Sequence, residues 1–140
     1  GGYVAVFENS SSAAGSGSMI VQTITGYPAA NIPGIISIIK QQETSGTVME
    51  YTAIPSPGIG DASGGFTATA RSSGVAATTG NSLFTSVTPA RTLAPEELPQ
   101  DFAEVYFSKG DTLEVIRMTG PDADAATATA LARTAYSKIP

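Results

Sequence analysis

Three stretches of this chain combine residue types and spacings that could do chemistry. Ser37-Ile38-Ile39-Lys40 has Ser-x-x-Lys spacing, which on a helix sets a lysine amine one turn from a serine hydroxyl, where a neutral amine can act as its base. The partner motifs of that enzyme group, Ser-Asp-Asn and Lys-Thr-Gly, are missing, and the pair reads instead as the polar edge of an apolar helix. Pro57-Gly58-Ile59-Gly60-Asp61-Ala62-Ser63-Gly64-Gly65 shares its glycines with phosphate loops. A phosphate cradle needs a helix N-terminus straight after the loop, whereas a strand pattern follows here and no lysine is near. The stretch reads instead as a flexible lid or contact loop. The acids Glu96, Glu97, Asp101 and Glu104 are dense enough to suggest a cation site or a paired general acid and base. Calcium loops space their oxygens regularly around a glycine, and this run, broken by Pro95 and Pro99, reads as a solvated linker. With no histidine and no cysteine in the chain, a Ser-His-Asp triad, a Cys-His pair and thiolate or imidazole zinc sites are excluded. No metal or cofactor is expected.

The elements that position these residues converge on the last forty positions. Ala103 to Phe107 alternates as a strand, Ser108-Lys109-Gly110 turns, and Thr112 to Met118 is a second strand. A three-residue loop ending in Gly110 sets an odd register, in which Ala103, Val105 and Phe107 share a face with Leu113 and Val115. The opposite face then carries Glu104, Tyr106, Glu114, Ile116 and Met118, and its Tyr106, Ile116 and Met118 become the candidate contact residues for a partner or apolar ligand. A terminal helix follows, with Pro121 at its first position, Asp122 and Asp124 in its first turn, and Leu131, Ala135 and Ile139 on one side with Ala128. Earlier, Tyr3 to Phe7, Met19 to Thr25, Thr47 to Ile54, Phe66 to Arg71 and Ser82 to Thr88 read as strands. Gly34 to Gln42 reads as a helix because Ile35, Ile38, Ile39 and Gln42 recur at helical spacing. The expected fold is α+β: one antiparallel sheet in the order ββαβββββα, with two helices covering one face.

At 140 residues the chain suits one domain spanning 1–140, able to bury roughly 70% of its unfolded surface in one core. Gly1-Gly2 reads as a tag remnant. Twelve acidic against seven basic residues give a net charge of −5, which argues against nucleic acid as a partner, since phosphate binding needs a basic face. No stretch approaches the length of a membrane span. Absence of cysteine leaves the compartment open.

The order of elements, a hairpin-like pair, a helix, several strands and a late strand pair before a terminal helix, resembles the PsbP/Mog1-type sandwich. The run Phe102-Ala103-Glu104-Val105-Tyr106-Phe107-Ser108-Lys109-Gly110-Asp111-Thr112-Leu113, followed by Ala130-Leu131-Ala132-Arg133, also resembles the ends of secreted lipoproteins and extracellular sensor domains of the actinobacterial envelope. These resemblances cover the second quarter and the last third of the chain and carry no catalytic residues over. They imply a non-catalytic accessory or sensor module, secreted or anchored through a segment outside this sequence, that contacts a protein partner or a small apolar ligand as a monomer or weak oligomer. The alternatives are a hydrolase using Ser37 and Lys40, and a structural subunit of a surface assembly, for which the Thr/Ala/Gly/Ser-rich composition argues.

Overall fold

The protein is described here from a computed structural model, which places residues 1–9, 18–42, 48–70, 75–76, 91–92 and 100–140. The expected strand Ser82 to Thr88 and the acids Glu96 and Glu97 lie outside the described residues. Six strands form one antiparallel sheet: β1 (Gly2–Asn9), β2 (Ser18–Gly26), β3 (Met49–Ala53), β4 (Ala62–Ala70), β7 (Phe102–Lys109) and β8 (Thr112–Thr119). Two short strands, β5 (Val75–Ala76) and β6 (Arg91–Thr92), pair apart from it. The main sheet runs β1-β2-β8-β7-β4-β3, so the hairpin β7–β8 occupies its centre. Among the described residues two α-helices accompany the sheet, α1 (Ile32–Gln42) and α2 (Ala125–Tyr136). The α+β class and the order of elements are those the sequence predicts.

The register of the central hairpin is not. Lys109 pairs with Thr112, leaving a two-residue turn of Gly110 and Asp111, with Gly110 at φ 59°. A glycine at the first central position of a two-residue turn supplies the positive φ that such hairpins need. Asp61 reinforces the turn by accepting a hydrogen bond from the Gly110 N–H at 2.7 Å. In this register Phe107 opposes Glu114, Tyr106 opposes Val115 and Val105 opposes Ile116. The expected faces are therefore reshuffled: Ile116 and Met118 join Ala103, Val105 and Phe107, while Leu113 and Val115 join Tyr106.

Each face of the sheet has its own core and its own helix, so the expectation of two helices on one face is corrected. On one side Ile32 and Ile36 of α1 pack with Met49, Phe66, Tyr106 and Leu113. Helix α1 starts at Ile32, ahead of the expected Gly34, and its buried stripe is Ile32, Ile35, Ile36 and Ile39, which leaves Ile38 57% exposed. Isoleucines are middling helix formers, so burial rather than propensity holds this element. On the other side Ala128 and Ala132 of α2 are fully buried against Ala103, Val105, Phe107, Ile116 and Met118. Their small side chains let the helix lie close on β7 and β8. Asp124 is the N-cap of α2, with Pro121 and Asp122 ahead of the helix rather than in its first turn. Its carboxylate accepts from the Thr127 N–H at 2.8 Å, and this bond, with a second from the Thr127 hydroxyl, holds its carboxyl below the ordinary aspartate range.

The glycine-rich stretch is divided between loop and strand. Gly64 and Gly65 sit within β4, where Gly64 opposes Tyr106 and a Cβ at Gly64 would run into the Tyr106 phenol. That missing side chain gives a fully buried tyrosine its place. Gly64→Ala is expected to destabilise the fold by about 1–3 kcal/mol through overpacking, read as a lower urea midpoint at unchanged m-value. An unchanged midpoint would contradict this packing.

Candidate functional site

Helix α2 lies over β7 and β8, and among the described residues the outer half of its sheet face, on β2 and β1, has no helix of its own. A groove opens along that boundary. Its main chamber, about 380 Å³, has apolar walls from Ile20 of β2, Ile116 of β8, and Leu131 and Ala135 of α2. The side chains of Gln22, Thr134 and Lys138 complete it. An adjoining chamber of about 220 Å³ shares Gln22, Ala135 and Lys138 and ends on Ile24, Thr112, Glu114 and Ile139.

Strand alternation explains this lining. Ile20, Gln22 and Ile24 are successive same-face residues of β2, and they oppose Met118, Ile116 and Glu114 of β8. Glu114 is thus flanked by Ile24 on one side and Phe107 on the other, beneath the last turn of α2. The residue is fully buried. Its Oε1 accepts from the Gln22 Nε2 at 2.6 Å, whereas its Oε2, equally buried, has no hydrogen-bond partner among the described residues. Loss of hydration pushes the Glu114 carboxyl above the ordinary glutamate value, and the Gln22 amide offsets only part of that. The other buried acid, Glu104, is matched: Arg117, its cross-strand neighbour, contacts it at 2.6 Å and lies over the Phe102 ring.

Against protein-family models, curated proteins and solved structures, the chain has no match.

The residues singled out from the sequence are dispersed. Tyr106, Ile116 and Met118 are all buried, Tyr106 on the α1 side and the other two on the α2 side, so the three do not share one open face. Ile116 nevertheless lines the groove. Ser37 and Lys40 are both exposed on α1, whereas a serine–lysine hydrolase needs its lysine buried and neutral. Lys40 instead borders a separate pocket with Ser56, Ser63 and Tyr106. Of the acidic run, Asp101 accepts from the Ala70 N–H and Glu104 pairs with Arg117; among the described residues no three acids gather as a metal site. Sequence reasoning placed Glu114 on the mixed face but missed it, Gln22, Ile20 and Leu131 as a site. A glutamate inside Leu113-Glu114-Val115-Ile116 was the available signal.

The Glu114 environment predicts a pH signature. In the native state this acid keeps its proton at pH values where the unfolded chain has already released it, so stability falls as pH rises from the ordinary carboxylate range to the raised value. Glu114→Gln cannot titrate. Its Tm relative to wild type should climb across that window, followed by thermal unfolding from about pH 4 to about pH 8, and level off on either side. A difference independent of pH would contradict the burial of Glu114.

Proposed function

We propose that this chain is a non-catalytic, extracytoplasmic binding module that takes a small, largely apolar ligand in the groove between α2 and β2. The observation that carries the reading is the combination of a preformed chamber of about 380 Å³ with walls of Ile20, Ile116, Leu131 and Ala135 and a polar end at Gln22 and Glu114. Small-molecule sites are commonly concave, chiefly apolar and equipped with a few convergent polar groups, at volumes of roughly 300–1,000 Å³. Low charge and a composition rich in small residues accord with an envelope setting, as does the resemblance to secreted lipoprotein and PsbP/Mog1-type domains. Among the described residues no helix is long and apolar enough to cross a membrane.

A second reading, a subunit of a surface assembly, is favoured by strand β1. It is an edge of the sheet, and its Tyr3, Val4 and Val6 are 80%, 66% and 54% exposed; an uncovered apolar edge is a template for pairing with another chain. A monomer at high concentration by light scattering would overturn that reading.

The binding reading predicts that Nile red, a neutral apolar dye, binds the wild-type protein with a blue-shifted emission. Leu131→Glu, which sets a charge on the groove wall, should weaken it about tenfold or more. Ile38→Glu, on the exposed side of α1, should leave it unchanged. Absence of binding, or equal loss in both variants, would overturn the assignment of the groove.

A further inference from the structure

The smaller chamber of the groove has a buried acid, Glu114, in its lining. Glu114 is wholly shielded from solvent by protein, and only one of its carboxyl oxygens is matched by a protein donor, the Gln22 amide. The other, Oε2, is buried without a hydrogen-bond partner among the described residues, and Glu114 is one of the residues around the smaller chamber. A buried acceptor without a donor costs more than a formed bond returns, so folding alone gives no reason to keep a glutamate between Ile24 and Phe107. A donor delivered by a bound molecule removes that deficit, and the apolar wall leading to it fixes what the rest of the molecule must be. Lys138 stands beside both chambers, too exposed to serve as a buried partner itself.

Resting on the binding reading above, we propose that the groove selects a small amphiphile whose head group donates a hydrogen bond, an alkyl amine or alkyl alcohol, with the head at Glu114 Oε2 and the chain along Ile20, Ile116 and Leu131. Once Glu114 is ionised and Oε2 is an acceptor only, molecules of the same chain length with an acceptor-only or anionic head leave it unmatched or repel it. They forfeit the advantage at the step where the site's own polar group is desolvated.

The test is calorimetric titration of the whole protein, at a pH above the window in which the Glu114→Gln comparison shows Glu114 titrating, with octylamine, n-octanol, methyl octyl ether and octanoate, each below its aggregation threshold. Octylamine or n-octanol is expected to bind about tenfold or more tightly than the ether and octanoate. Preference for the amine identifies an ammonium head, and preference for the alcohol a hydroxyl. Glu114→Met, which fills the same space without an acceptor, should bring the donor compounds down to the affinity of the ether and leave the ether unaffected. Equal affinity of n-octanol, octylamine and the ether for the wild-type protein would overturn the head-group assignment and leave the groove as a binding site. Failure of all four to bind would overturn the groove reading with it.

Discussion

One tight turn decides which way every side chain of the central hairpin points. Because Gly110 and Asp111 alone join β7 to β8, Val105 is set opposite Ile116, and Tyr106 opposite Val115. Side chains alternate with a period of two, so a register moved by a single residue would exchange the faces of β8 throughout. Both cores depend on this choice. Phe107, Ile116 and Met118 meet α2, whereas Tyr106 and Leu113 meet α1. A hairpin apolar on both sides can occupy the centre of a sheet only if each side is covered, and two helices of eleven and twelve residues do this from opposite directions.

The groove follows from the same constraint. Helix α2 is anchored at its start by Asp124 and at its end by Lys109, whose ammonium donates to the Ile139 carbonyl at 2.6 Å. Ala128 and Ala132 seat it on β7 and β8, short of the outer strands. The strip of sheet left beside it belongs to Ile20, Gln22 and Ile24, and the hairpin register sets Glu114 opposite Ile24 beside the smaller chamber. Shape and chemistry thus have one origin: the helix leaves an apolar channel, and the turn places a buried acid beside it.

The elements were legible in the sequence to a large degree because alternation, turn residues and caps agree over β1, β2, β7, β8 and α2. The register was not. Both strands of the hairpin are apolar on both faces, so no wet side was available to choose between a two-residue and a three-residue loop, and Gly110 suits either. That ambiguity hid the site, since Glu114 becomes conspicuous only once it lies between Phe107 and Ile24. In the same way Ser63-Gly64-Gly65 carried the composition of a loop while forming the part of β4 on which Tyr106 rests. The α1 stripe shifted by a turn because Ile32, ahead of Pro33 and Gly34, belongs to the helix.

The most direct test of this account is the cross-strand pairing of β7 and β8 by nuclear Overhauser contacts in isotope-labelled protein. The account predicts backbone contacts that set Val105 opposite Ile116 and Tyr106 opposite Val115, together with side-chain contacts from Gln22 to Glu114. Contacts setting Val105 opposite Leu113 would contradict it, because Glu114 would then turn toward α1 and the groove beside α2 would lose its polar end.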